Sequence, residues 1–487
     1  MTEHASSSGS RPYEGRRIHF IGIGGCGMRG LAEFVLHEGG EVSGSDMKAG
    51  EATDELRGLG ARIFIGHAAS NLPSGTDLVV VSAAVKPENP EMVEARRRDI
   101  GVQKYAAFLG GLMKIRKGIA VSGTHGKSTT TSMVSYALTQ AGLDPSFVIG
   151  AEVPQLGGGA RVGRGPHLVV EACEYDRSFL NYKAQAGVIL NIEEDHLDYY
   201  RDLPEIVSAF GDFAAGISPD GLVVVNGGDR NAVEAAQEAK GRVVTFGIEG
   251  RWDWRAEHLE PTLGRFTFDV YRFGEFVTQV RLAHLAGQHH VFNALAAMAL
   301  CDWAGATPAA VAEALGTFEG AERRMQFLGE AGGVKVIDDY AHHPTEIQAT
   351  LKAAKARYEP KRLWVVFQPH QHSRTRFLLK DFARALTMAD KVVVPDIYFV
   401  RDSEKERQAI SASDLVGEIQ SLGASALYIP DFESIQRYLV ESLEPGDVLM
   451  TMGAGDVYRL AEPILAALGG QATRSGATGA RTTSKDA

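Results

Sequence analysis

Apolar residues recur along the chain in short runs of strand length, and between these runs they return every third or fourth residue, the spacing of an amphipathic helix. The first series has strands at 18–23, 41–45 and 78–82, with a helix from about Met28 to His37 behind the first strand. A second series opens with a strand at 119–122, passes a glycine turn and enters a helix at 129–141. It continues through strands ending at Glu171 and Asn191 into a β-rich stretch near 222–282. The third has strands at 334–338, 363–368, 391–394, 427–429 and 447–452, alternating with helices. Such alternation predicts an α/β protein with mainly parallel sheets. At 487 residues the chain is too long for one hydrophobic core, so two to four domains are expected.

Composition narrows the function. The chain carries 50 basic and 61 acidic residues, a formal charge of −11. No excess of Lys and Arg is available to displace counterions, which excludes general nucleic-acid binding and leaves room for a local basic site. Its three cysteines (Cys26, Cys173 and Cys301) form no CxxC pair, as expected in a reducing compartment. The amino-terminal segment lacks the apolar core of a signal peptide, and no apolar run approaches the ~20 residues that span a bilayer. A cytoplasmic protein without a membrane partner is expected, with a small, polar, disordered tail at 471–487.

The most informative segment is KGIAVSGTHGKS at 117–128. A strand delivers the chain into a glycine turn and a helix starts at the lysine. Free N–H groups and the positive helix end then face a phosphate. Lys127 reaches the β- and γ-phosphates, and the Ser128 hydroxyl binds Mg²⁺. Position 121 is valine where the ordinary loop has glycine, so the loop is a shorter variant of the phosphate-binding form. A nucleoside triphosphate is the expected ligand.

A second glycine turn, with Gly22, Gly24, Gly25 and Gly27, joins the first strand to its helix. Asp46 follows at the end of the next strand, where an acid can bind a ribose. A dinucleotide and a UDP-sugar satisfy this turn equally, since both carry a pyrophosphate and a ribose. Glu171 and His196 stand after predicted strands and can reach an ion at Ser128, although histidine is an uncommon Mg²⁺ ligand. Glu174, Asp176, Glu193, Glu194 and Asp195 read equally well as a solvated acidic rim. The third series contributes DDYAHHPTEI at 338–347 and FQPHQHSRTR at 367–376. The histidine spacing there does not favour a metal cluster, whereas Arg374 and Arg376 suit a carboxylate or phosphate.

Together GIGGCGM, SGSD, GTHGKSTTT, EACEYDRSFL, NIEEDH, GQHHVFNALAA, AERRMQF and the two third-series motifs resemble the Mur ligase family, in this order and over about 17–468. The resemblance implies three α/β domains: a Rossmann-like domain for a UDP-sugar at 17–116, a central P-loop-type ATPase domain at 117–329, and a Rossmann-like amino-acid-binding domain at 330–470, after a flexible start at 1–16. Its implied substrates are ATP, UDP-N-acetylmuramate and L-alanine, with Mg²⁺ as cofactor. ATP phosphorylates the sugar's lactyl carboxylate, and alanine attacks the acyl phosphate. By the same resemblance Gly123, Thr124, His125, Gly126, Lys127, Ser128 and Thr129 hold the phosphates; Ser128, Glu171 and His196 serve the metal. Asn293 is an adenine contact, Arg324 and Asp339 complete the nucleotide site, and His342, His343 and Arg374 form the amino-acid end. Gly22, Gly24, Gly25, Gly27, Asp46 and Ser82 line the sugar-nucleotide site. Lys127, Glu171, His196, His342 and Arg374 are the implied catalytic set.

Two positions depart from the family pattern. His290 replaces the asparagine of the adenine segment, and Gln371 stands where many relatives carry arginine. Within the family, a ligase that adds a whole tripeptide to the same sugar is the alternative. An NAD-dependent dehydrogenase explains the first glycine turn but leaves GTHGKS idle. A nucleotide-binding switch leaves the third series idle. Oligomeric state, monomer or homodimer, is open at this level.

Overall fold

The computed structural model describes residues 11–82, 85–400 and 402–469. Three sheets follow one another along the chain. The first has five parallel strands in the spatial order Arg62–Ile65, Glu41–Asp46, Arg17–Ile21, Leu78–Val81 and Gly101–Lys104. Phe20 and Ile21 of Arg17–Ile21 and VVV of Leu78–Val81 are buried because helices cover both faces, and His19 is buried among them by pairing with Ser43 and Glu91. The helix expected from Met28 starts two residues earlier, as Cys26–His37.

The second sheet has ten strands. Lys117–Ser122 lies between His167–Glu171 and Ala186–Ile189, parallel to both. Beyond them Leu222–Asn226, Arg242–Ile248 and Trp254–Thr262 extend the parallel run, and two antiparallel strands, Arg265–Arg272 and Glu275–Arg281, close that edge. The helix after the phosphate loop, Lys127–Gln140, begins at the lysine and is buried along most of its length despite its serines and threonines. It stays dry because Thr131, Ser132, Ser135 and Thr139 each donate to the carbonyl four residues back, at 2.7–2.8 Å. These four positions therefore cost the core no unpaired hydroxyl, whereas the buried Thr130 Oγ1 makes no hydrogen bond.

The third sheet has six strands, five of them parallel. Its sixth, Gln326–Ala331, pairs antiparallel with Val334–Asp339. A division of the chain at 329/330 cuts this strand, so the third sheet begins earlier than the sequence pattern indicated. The hairpin turns through Gly332 and Gly333, both at positive φ, and the strand was missed because QFLGEA, interrupted by Gly329 and a bulge, shows no clear apolar alternation.

Of the start expected to be flexible, residues 11–16 form turns, and Tyr13 packs on Phe34 and Phe108. Residues 1–10 and the expected disordered tail at 471–487 lie outside the described residues. Among the described residues no helix is long and apolar enough to cross a membrane.

Candidate active site

The carboxyl ends of the central strands deliver the phosphate loop to the junction with the third domain. Two glycines make its geometry possible. Gly123 (φ +144) lies against Leu190 and Gly126 (φ +82) against Asn293, where an added Cβ would sit 2.9 Å and 2.8 Å from those side chains. Asn191 clamps the loop from the neighbouring strand end: its Oδ1 accepts from His125 N–H at 2.8 Å, and its Nδ2 donates to His125 C=O at 3.1 Å.

Lys127 folds back over this loop. Its ammonium donates to the Gly123 and Thr124 carbonyls and to both oxygens of Glu174, at 2.6–3.1 Å. Glu174 is 2% exposed, so the acidic-rim reading fails for it. Burial would strip the proton from Lys127, but Glu174, with Cys173 and Glu171 behind it, raises its pKa instead. The lysine is a fixed cation. Ser128 is buried and accepts a long 3.5 Å bond from Arg324. Glu171 accepts from Gly150 N–H at 2.9 Å.

His196 adopts φ +53, a left-handed conformation that a non-glycine residue holds only under local constraint. Its Nε2 lies 3.6 Å from Glu174 and 3.7 Å from Asp195, and its buried Nδ1 makes no hydrogen bond. Asp195 is also buried, a second departure from the rim reading. It pairs with Arg374 of the third domain, whose Nη2 and Nε both reach Oδ1, at 2.8 Å and 3.1 Å. Burial would raise the Asp195 carboxyl, but Arg374 holds it well below the usual carboxylate range. Arg374 thus arrives where the sequence placed a substrate cation, already bonded to a protein carboxylate.

His342 and His343 part company. His342 Nδ1 donates to Tyr340 C=O at 3.1 Å, which leaves Nε2 with its lone pair, and burial lowers its pKa to about 4. His343 turns both ring nitrogens on the protein: Nε2 lies 3.0 Å from Glu194 C=O, and Nδ1 caps the helix Pro344–Tyr358 through Thr345 N–H at 3.3 Å. His343, expected at the amino-acid end of the site, thus bridges the central and third domains. Gln371, at φ +70 and 1% exposed, keeps its side-chain Nε2 buried without a hydrogen-bond partner.

A cavity of about 200 Å³ opens beside the loop, lined among others by Gly126, Asn293, His289, His290, Arg324 and Asp339. Asn293, expected to meet a base, stands both in this lining and under Gly126. Burial lowers the pKa of His289 to about 4, and that of His290 falls as well, so both rings are neutral. Asp339 accepts from Met325 and Ala341 N–H at 2.7 and 2.8 Å, and burial lifts its pKa to about 6.

His125 was expected only as part of the loop. Its Nδ1 lies 3.2 Å from Glu346, its Nε2 3.5 Å from Glu193 and its ring 4.6 Å from that of His343. Burial opposes its charge, but the two carboxylates outweigh it and raise its pKa to about 9. Glu174, Asp195, Glu193 and Glu346 are the site residues that sequence reasoning left out. Their place within DDYAHHPTEI, EACEYD and NIEEDH is the signal that could have flagged them.

In the first domain, Gly22, Gly24 and Gly25 form the turn, with Gly22 at φ +81, and Gly27 stands in the first turn of the helix Cys26–His37. Asp46 Oδ2 accepts from Gly24 N–H at 2.9 Å, so one oxygen of the expected ribose acid already holds the turn. Ser82 stands against Gly22, and Tyr105, which the sequence did not single out, lies over Gly27.

The fold and site define a nucleotide-binding α/β protein whose phosphate loop meets a cation-bearing third domain. Three family profiles match: "Mur ligase family, catalytic domain" at 17–117, "Mur ligase middle domain" at 121–301 and "Mur ligase, glutamate ligase domain" at 323–455. Among curated relatives, a UDP-N-acetylmuramate–L-alanine ligase of Alkaliphilus metalliredigens is 44% identical over 93% of this chain and 97% of its own length. That of Caldanaerobacter subterraneus is 42% identical over 92% and 97%. A crystal structure of the UDP-N-acetylmuramate–alanine ligase of Thermotoga maritima is 31% identical with a TM-score of 0.77, covering 92% and 98%. A murein peptide ligase of Psychrobacter arcticus is 25% identical, TM-score 0.72, covering 93% and 99%. The chain belongs to the Mur ligase family.

Proposed function

We propose that the chain joins L-alanine to the lactyl carboxylate of UDP-N-acetylmuramate using ATP, a step of peptidoglycan precursor synthesis. The observation that carries this reading is the 44% identity, over nearly the whole of both chains, with a ligase of that name. The tripeptide-adding alternative has weaker support, since ligases of that kind match at 25% over 93% of this chain or at 31% over only 63% of it. The dehydrogenase reading has no role for Lys127 and its loop. We take the first domain, to about residue 116, as the UDP-sugar domain, with Gly22, Gly24, Gly25, Gly27, Asp46 and Ser82 at its site. The central domain is taken as the ATP domain and the chain from before Gln326 as the amino-acid domain. We place the enzyme in the cytoplasm, where ATP and UDP-sugars are available.

The phosphate loop, from Gly123 to Thr129, cradles the ATP phosphates, with N–H groups and a helix start aimed at them. Phosphoryl transfer asks the protein mainly for positioning and charge neutralisation. Lys127 supplies a cation that stays protonated at every working pH, and it must exchange Glu174 for a phosphate oxygen. Asn293, Arg324 and Asp339 bound the nucleotide cavity. Ser128, Glu171 and His196 fit Mg²⁺, because the His196 Nδ1 is buried without a partner and Glu171 keeps an oxygen for a ligand. When bound, the ion supplies neutralisation of phosphate charge. His342, neutral at pH 7 with a lone pair on Nε2, accepts a hydrogen bond from the attacking amine. Arg374 offers its guanidinium to the alanine carboxylate in exchange for Asp195. Closure of the third domain keeps water from the acyl phosphate.

Phosphate release from ATP, measured with UDP-N-acetylmuramate plus each amino acid or the tripeptide, tests the assignment. Release driven by L-alanine supports it. Release driven only by tripeptide, or by no amino acid, overturns it.

A further inference from the structure

We propose a transition-metal site of the Zn²⁺ class, built by His125 of the phosphate loop, Glu193 of the central domain and His343 of the third domain. It is separate from Ser128, Glu171 and His196 and does not depend on the ligase reading. Among the described residues this is the one group of three His, Cys, Asp or Glu ligand atoms gathered within 4.8 Å of one another. His125 Nε2 stands 3.5 Å and His343 Nδ1 3.8 Å from Glu193 Oε2. In a tetrahedral site with bonds of ~2.0–2.1 Å, ligand atoms sit about 3.3 Å apart. The widest separation therefore has to contract by no more than about 1.5 Å, and the Glu193 side chain, 36% exposed, has room to turn.

What distinguishes the group from a chance cluster is the layer of partners around it. A metal-binding histidine donates its other ring N–H to a carboxylate or carbonyl, which fixes the tautomer and aims the lone pair. Both histidines do so. His125 Nδ1 faces the Glu346 carboxylate at 3.2 Å, and His343 Nε2 faces Glu194 C=O at 3.0 Å. The nitrogens that would ligate are the two that face Glu193, and His343 Nδ1 gives up its helix cap to do so. Thr345 Oγ1 donates to Glu193 Oε2 at 2.5 Å and orients the third ligand. The buried Nε2 of His125 makes no hydrogen bond, and His343 Nδ1 accepts only the 3.3 Å cap from Thr345. Without metal, a proton on His125 balances the surrounding carboxylates; a divalent ion takes that proton's place and carries one charge more.

Two imidazoles and one carboxylate are a donor set for Zn²⁺ or Co²⁺ rather than for Mg²⁺, which prefers oxygen. Occupation ties the phosphate loop to the third domain through metal bonds.

The test is equilibrium dialysis of the full chain against Zn²⁺ in millimolar MgCl₂, with Co²⁺ substitution to read geometry from the visible spectrum. Wild type is expected to bind one Zn²⁺ and to give the strong visible bands of tetrahedral Co²⁺. Glu193→Gln and His343→Gln should each weaken Zn²⁺ binding by at least about tenfold. Circular dichroism identifies any variant that fails to fold, and either folded variant decides the point. His196→Asn should leave Zn²⁺ affinity unchanged. No binding to wild type overturns the proposal. So does binding that survives Glu193→Gln and His343→Gln, or that is lost only in His196→Asn. Because no substrate is present, either result leaves the ligase assignment to its own test.

Discussion

Arg374 and Asp195 form a buried ion pair across the junction of the central and third domains, with both Nε and Nη2 of the guanidinium on one carboxylate oxygen. If Arg374 serves the amino-acid carboxylate, as we propose, that carboxylate displaces Asp195 from the guanidinium. Arg374→Ala leaves Asp195 buried and unpaired, a loss of about 3–5 kcal/mol of stability. Arg374→Lys keeps the charge but loses the fork. In the folded Lys variant the KM for alanine should rise far more than that for ATP. An unchanged alanine KM means that the guanidinium serves only the domain contact.

Lys127→Ala should abolish ligation while the chain still binds UDP-sugar, because it removes charge from the transferring phosphoryl group. It also leaves Glu174 buried without its partner. Adding Glu174→Gln should restore stability to the Lys127→Ala chain but not turnover. Single-turnover phosphate release and thermal melting separate the two, and turnover by the single variant would remove Lys127 from the chemistry.

His290 stands where the family pattern has asparagine, its ring 4.1 Å from that of His289 and tilted by 46°, with a buried Nδ1 that makes no hydrogen bond. An amide offers more hydrogen-bonding groups than a neutral imidazole. His290→Asn should keep ATP affinity or improve it by up to ~0.5–1.5 kcal/mol. A large loss in ATP titration would give His290 a role of its own.

His125 should make stability depend on alkaline pH. Its pKa is raised to about 9, so the native state holds a proton that the unfolded chain, with an ordinary histidine near 6.5, releases first. The contribution is full below about pH 6.5 and is lost as pH rises through about 9, roughly 3 kcal/mol in all. Melting of the chain in a metal chelator between these limits should show the decline, and His125→Asn should remove most of it. Equal slopes for both would show that His125 is not charged in the native state.

The three series of strands and helices were legible because parallel strands buried on both faces write themselves as apolar runs, as VVV at 79–81 does. The phosphate loop was legible because its glycines, lysine and helix start are adjacent in the chain. What escaped was long-range. Glu174 and Asp195 read as surface acids until the fold brought Lys127 and Arg374 to them, the latter from 179 residues away. His343 read as a substrate contact because its motif does not reveal that Glu194 C=O and a helix end occupy both nitrogens. The strand Gln326–Ala331 was missed because Gly329 and a bulge break its apolar alternation at a sheet edge.

The central claim is that ATP activates the lactyl carboxylate of UDP-N-acetylmuramate and that L-alanine takes the acyl group. The direct measurement supplies that sugar with ¹⁸O in its lactyl carboxylate, together with ATP, Mg²⁺ and L-alanine, and weighs both products by mass spectrometry. The account predicts UDP-N-acetylmuramoyl-L-alanine, ADP, and phosphate carrying one ¹⁸O from the carboxylate. Unlabelled phosphate, or AMP with pyrophosphate in place of ADP, would contradict it.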